Sequence, residues 1–150
     1  DLESVTTGLA GVALGLKQDD AFKKGVHALG QIYVESDGPA LLHGDFYPGS
    51  FLRTDRGLAL IDPEFAFPGP PEFDLSVLVA HLVFAGGTAP EVVDSVLAAY
   101  ERPVDRGLVQ AFAGAELMRR TLGVSQLPLD VTLETKRGWL EISRAWVKSL

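Results

Sequence analysis

Residues 41–67 constrain this chain most, because apolar runs too short to be helices alternate there with acidic turns. Leu41-Leu42-His43-Gly44-Asp45-Phe46-Tyr47-Pro48-Gly49-Ser50-Phe51-Leu52 is followed by Leu58-Ala59-Leu60-Ile61-Asp62-Pro63-Glu64-Phe65-Ala66-Phe67. Residues 40–42, 51–53 and 58–61 read as short strands. Thr54-Asp55-Arg56-Gly57 joins the last two as a hairpin turn, with glycine where positive φ is easy. Pro48 and Gly49 forbid regular structure after Asp45, so its carboxylate is held on a turn between two strands. Asp62 and Glu64 follow just beyond the third strand. The two acidic turns lie a hairpin apart, which predicts that the Asp45 and Asp62 carboxylates face a common cleft.

Elsewhere the pattern is helical. Residues 2–16 read as a helix or a loop. Asp19 or Asp20 can N-cap a helix whose apolar residues Phe22, Val26, Leu29, Ile32 and Tyr33 recur at helical spacing until Asp37-Gly38-Pro39 stops it. Phe67-Pro68-Gly69-Pro70-Pro71 fits neither a helix interior nor a central strand, so a loop is expected, leading into a helix at about 73–84. Gly86-Gly87 breaks that helix, and Thr88 caps another over 90–100 with Pro90 at its first position. Pro103 separates it from a helix at about 105–121, ended near Gly123, and a last helix spans roughly 132–147. The fold class expected is α+β, mainly helical, with residues 1–150 forming one domain.

Composition narrows the function. The chain has 150 residues, 47% of them apolar, enough to bury one sizeable core. Its formal charge of −7, with 13 scattered Lys and Arg residues, argues against a nucleic-acid partner. There are no cysteines, which excludes disulfides, thiolate metal sites and a cysteine nucleophile. The longest apolar stretch, residues 75–85, is broken by Ser76 and His81 and is about half the roughly 20 residues that span a bilayer, so no membrane segment is expected. The chain opens at Asp1 with no Met and no signal pattern, which suggests a cut fragment, and a cytoplasmic location is expected.

A carboxylate on a turn, such as Asp45, can accept the proton of a substrate hydroxyl as its oxygen attacks a γ-phosphate. Asp62 and Glu64, two residues apart beyond a strand, offer a pair of hard oxygen ligands to Mg²⁺, and Ser50 a neutral, weaker one. Alternatively, Asp62 before a proline serves as a turn or cap residue. His43 is expected to hydrogen-bond backbone and fix its loop. His81, Trp139 and Trp146 read as packing residues and His27 as a surface residue.

Taken with Phe73-Asp74-Leu75, this ordered set resembles the C-terminal lobe of the aminoglycoside phosphotransferase and protein-kinase-like superfamily. Most of that superfamily carries Asn where Ser50 stands and Asp-x-Asp where Asp62-Pro63-Glu64 stands. The methylthioribose kinases show Gly-Ser and Asp-Pro-Glu-Phe-Ala-Phe there, and this chain is similar to them at both places. The resemblance implies that Asp45 is the catalytic aspartate, that Asp62 and Glu64 hold Mg²⁺, and that Asp74 braces the catalytic loop. It extends to Arg119-Arg120, a twin arginine that faces the sugar substrate in those kinases. An arginine fork can hold substrate hydroxyls and offset transition-state charge. Adjacent helical residues differ by about 100° in direction, however, so only one of the two is expected to point into the site.

The activity implied is ATP-dependent transfer of the γ-phosphoryl group to a sugar hydroxyl, methylthioribose favoured, with Mg²⁺ as cofactor and ATP as co-substrate. Alternatives are an aminoglycoside- or choline-type phosphotransferase, or a catalytically silent kinase-like binding module. Tyr47-Pro48 stands where those kinases usually have His-Thr, and Pro68 where they have Tyr. A glycine-rich phosphate loop and a strand lysine paired with a helix glutamate have no counterpart in the sequence. An N-terminal kinase lobe, in cis or in trans, is therefore an expected partner, and a homodimer is an admitted assembly.

Overall fold

A computed structural model describes residues 2–35 and 37–150. In chain order the elements are α1 (Leu2–Val5), α2 (Leu9–Lys17), α3 (Asp20–Glu35), β1 (Ala40–Leu42), β2 (Phe51–Thr54), β3 (Gly57–Leu60), β4 (Phe67–Gly69), α4 (Pro71–Phe84), α5 (Ala89–Ala99), α6 (Arg106–Leu122) and α7 (Leu133–Lys148). Single 3₁₀ turns at Pro48–Ser50 and Pro63–Phe65 follow the two acidic positions Asp45 and Asp62. The result is α+β and mainly helical, and the helix-or-loop alternative at the start of the chain resolves to two helices.

Side-chain caps account for where three helices start. Asp19 Oδ1 accepts the Phe22 amide at 3.0 Å, Asp105 Oδ1 accepts the Leu108 amide at 3.1 Å, and Thr132 Oγ1 accepts the Thr135 amide at 3.2 Å. The Phe22 amide, followed by Arg144 and Lys148 of α7, holds the Asp19 carboxyl well below the usual carboxylate range. Glu72 Oε1 accepts the Asp105 amide at 2.9 Å, fixing the start of α6 against the start of α4.

The core forms around α6, which is buried on two sides. Val109, Ala113 and Leu117, at helical spacing on one side, join the α4 and α5 residues Val79, Val83, Val93 and Val96. Ala111 and Phe112, on the other side, meet Leu9, Leu16, Phe22 and Leu29 of α2 and α3. Helix α7 closes the bundle, with Trp139 in the first cluster and Leu140 and Val147 in the second. Gly114 lets α6 and α7 approach closely: Ser143 Oγ donates to the Gly114 carbonyl at 2.6 Å, and a Cβ at 114 would lie 2.9 Å from the Ser143 carbonyl oxygen.

The strands form two separate antiparallel pairs. β2 and β3 make the expected hairpin, from Phe51↔Leu60 to Thr54↔Gly57, and Gly57 takes a φ of 115°. β1 pairs instead with β4, Leu41 opposite Pro68. This corrects the expected loop at 67–71: a two-stranded sheet consists of edges, and an edge accepts a proline whose missing N–H faces away from the partner. The following helix also starts earlier than expected, at Pro71, because a proline in the first turn lacks only an N–H that has no intrahelical partner. Among the described residues no helix is long and apolar enough to cross a membrane.

Candidate active site

The turn that carries Asp45 is held from four directions. Asp74, in the first turn of α4, accepts the backbone amides of His43 at 2.6 Å and Gly44 at 3.0 Å. Burial pushes the Asp74 carboxyl up, and the two amide donors oppose that shift. His43 is itself buried, and its Nε2–H donates to the Ile61 carbonyl at 2.8 Å; this tautomer leaves Nδ1 to accept the Asp45 amide at 3.3 Å. Ser50 Oγ donates to the Asp45 carbonyl at 2.8 Å. Gly44 has a φ of 84°, and a Cβ there would collide with the Phe65 carbonyl oxygen. Glycine is thus required by conformation and by contact, and the Asp45 turn packs directly on the Asp62–Glu64 turn.

Asp62 has a φ of 59° and is the one non-glycine residue with positive φ among the described residues. Aspartate tolerates this left-handed conformation better than most side chains, and such outliers concentrate at functional positions. It makes no capping bond to the turn it precedes. The Asp62 and Glu64 side chains are exposed and take no hydrogen bond or ion pair among the described residues. Mg²⁺ is commonly bound by one or two carboxylates with substrate phosphates and water completing its shell, and this free pair of hard oxygen donors fits that chemistry. No group of three or more His, Asp and Glu side chains that could hold a metal ion occurs among the described residues. Ser50, expected as a weak ligand, is buried and its proton is committed to the Asp45 carbonyl.

Asp45 lines a cavity of about 630 Å³ together with Gly44, Phe65, Tyr33, Phe73 and the α6 residues Glu116, Met118, Arg119 and Arg120. Asp62, Glu64 and Ser50 are not in its wall. The two residues occupy the two connections between the strand pairs, Asp45 from β1 to β2 and Asp62 from β3 to β4, and the Gly44–Phe65 contact and the His43–Ile61 bond set these connections side by side.

The twin arginine differs from the single inward side chain expected. Arg120 Nη2 donates to Asp45 Oδ1 at 3.1 Å and Arg120 Nε donates to Glu116 Oε1 at 2.8 Å. Arg119 Nε and Nη2 donate to Glu116 Oε2 and Oε1 at 2.6 and 2.8 Å. Both arginines line the cavity, although their Cβ atoms diverge, because each long side chain folds back onto the carboxylate one turn earlier. Glu116 itself escaped the sequence reading. Its signal was a glutamate three and four residues before the arginines, inside an apolar helix stretch.

Glu116 is 7% exposed. Burial on its own would raise its pKa, but His81 Nε2 at 3.7 Å and the two guanidinium groups outweigh it and hold the carboxyl at about 2. The His81 ring packs against Tyr47 of the Asp45 turn at an interplanar angle of 45°, centroids 4.9 Å apart. A carboxyl lowered from its ordinary 4.5 to about 2 contributes stability that is present above pH 4.5 and is lost as pH falls toward 2. Denaturant titrations from pH 7 to pH 2 should show the stability gap between wild type and Glu116→Gln closing across that window; a pH-independent gap would refute the ion-pair origin.

Comparison with known proteins agrees with this geometry. The chain is similar to the methylthioribose kinase of Exiguobacterium sibiricum, 29% identical over 99% of this chain and 48% of the relative. It is 30% identical to that of Geobacillus thermodenitrificans over 73% of this chain and 38% of the relative, and 43% identical to that of Yersinia enterocolitica over 47% and 17%. It thus spans less than half the length of these curated relatives. Residues 8–112 match the model of the phosphotransferase enzyme family, and since that match takes in the braced Asp45 turn, the Asp62 turn and Asp74, the chain belongs to this family.

Proposed function

We propose that this chain is the catalytic lobe of an ATP-dependent kinase that transfers the γ-phosphoryl group to a hydroxyl of a sugar, methylthioribose favoured. The observation that carries the reading is the state of Asp45: its backbone is braced by Asp74, His43 and Ser50, one carboxylate oxygen is held by Arg120, and the other takes no bond from the described residues. In the reaction, the acceptor O–H gives its proton to the free Asp45 oxygen, the acceptor oxygen forms a bond to the γ-phosphorus, and the bond to the leaving ADP oxygen breaks. Arg119 and Arg120 hold the acceptor and offset charge on the transferring group. Asp62 and Glu64 would hold Mg²⁺, which supplies charge neutralisation at the phosphates. Ser50 serves the loop by clamping the Asp45 carbonyl.

A glycine-rich phosphate loop and its lysine partner are proposed to come from an N-terminal lobe in cis or in trans, and the site of action to be the cytoplasm. The favoured acceptor rests on the names of the similar proteins together with Ser50, Asp62-Pro63-Glu64 and Arg119-Arg120 in their pattern.

The test is an ATP-consumption screen of the gene product against methylthioribose, choline and a panel of aminoglycosides, with and without EDTA. Turnover with methylthioribose before the others, abolished by EDTA and restored by Mg²⁺, is expected. Preference for an aminoglycoside would refute the acceptor while sparing the chemistry. Silence on every acceptor, with no Mg²⁺·ATP binding, would overturn the kinase reading in favour of a binding module.

A further inference from the structure

We propose that Glu116 is a positioning residue of the transfer site, acting through Arg120 on Asp45; this rests on the kinase reading and deepens it. Glu116 sits in the middle of α6 beside the fully buried Leu117, where packing alone does not call for a carboxylate. A buried ion pair is a poor device for stability, and an apolar side chain of similar volume generally does as well or better. What the carboxylate does is orient. Its two oxygens take three guanidinium N–H groups, two from Arg119 and one from Arg120.

Clamping Arg120 at Nε fixes the plane of its guanidinium and so fixes Nη2, which lies 3.1 Å from Asp45 Oδ1. Without that clamp the side chain regains its rotational freedom, and Asp45 loses the contact that aims its carboxylate. The cluster meets the Asp45 turn a second time. His81, reaching from α4 with Nε2 3.7 Å from Glu116 and no hydrogen-bond partner for that atom among the described residues, packs its ring at a tilt against Tyr47. Glu116 is therefore linked to the turn through an arginine on one side and through paired rings on the other.

Glu116→Gln in the gene product keeps the side chain's shape and removes its charge. Turnover should fall roughly 10- to 100-fold, the range associated with small misplacement of a reacting group, while the acceptor KM changes much less. Because Glu116 acts on Asp45 through Arg120 and also holds Arg119, the cycle is run with Arg119→Ala in every member: there, Arg120→Ala combined with Glu116→Gln should be no slower than Arg120→Ala without it. The Arg120 Nε–H resonance, protected from exchange in the wild type, should lose protection in Glu116→Gln. If Glu116→Gln does not fold, Glu116→Asp, which keeps the charge but withdraws it, replaces it in the same cycle and should give a smaller loss in the same direction.

A kcat within twofold of wild type, or losses that multiply in the double variant, would overturn the proposal. If the wild type transfers phosphate to no acceptor, the kinase reading fails separately, and protection of the Arg120 Nε–H decides whether Glu116 positions Arg120.

Discussion

Replacing Asp45 with asparagine should lower phosphoryl transfer by about 10²- to 10⁴-fold, the range that general-base catalysis contributes, while leaving the fold in place. The amide has the shape of the carboxylate, and its oxygen can still accept from Arg120 Nη2, which in the wild type lies 3.1 Å from Asp45 Oδ1. The bonds that shape the turn are made by the backbone of residue 45: its amide to His43 Nδ1 and its carbonyl to Ser50 Oγ and the Tyr47 amide. None of these depends on side-chain charge. What is lost is the oxygen that takes the acceptor proton. Steady-state turnover and thermal unfolding measured on one preparation separate the effects, and near-wild-type turnover would remove Asp45 from the catalytic role.

Asp74→Ala is expected to have the second largest effect by a different route. The wild-type carboxylate accepts two backbone amides, His43 N and Gly44 N, from a half-buried position at the start of α4. Alanine leaves both donors without their acceptor, at a cost of about 1–3 kcal/mol for each that stays buried. The turn should respond by moving, and with it Asp45, so transfer should fall on the order of 100-fold even where the helical bundle survives. Hydrogen exchange provides the check: amides 43–46 should lose protection while those of α6 keep theirs. Uniform loss across the chain would mean that Asp74 supports the whole bundle and not the turn.

The helices were legible because their boundaries carry local chemistry. Asp19, Asp105 and Thr132 cap, Pro90 sits in the first turn of α5, and Gly86-Gly87 follows the end of α4, each through interactions within a few residues of itself. The pairing of β1 with β4 was not legible, since it joins segments nearly 30 residues apart and its partner strand holds a proline that local rules read as a loop. The same non-local pairing is what sets the Asp45 and Asp62 connections side by side. A hairpin was visible at Thr54-Asp55-Arg56-Gly57, but it accounts only for β2 and β3.

Of the candidate residues, His43, Asp45 and Asp62 stood out because short motifs with turn chemistry surround them, and Asp74 stood out only through the family resemblance. Glu116 did not, because its importance lies in where the ends of two long side chains go. The direction of a Cβ cannot reveal that. The rule that neighbouring arginines diverge by about 100° describes the helix surface correctly and the guanidinium groups poorly.

The contact between Gly44 and the Phe65 carbonyl, with the His43–Ile61 bond beside it, joins the base turn and the acidic turn into one body. Much of the cavity wall belongs to other elements: Val26, Leu29 and Tyr33 of α3, Met118 of α6 and Ser125 in the α6–α7 connection. On the kinase reading proposed above, the α3 and α6–α7 part of the wall is separable from the turn that carries the base. A lineage that altered α3 or the α6–α7 connection would present a different wall to an unchanged base, so new acceptors are open to this scaffold by substitution at positions that make none of the bonds holding the Asp45 turn.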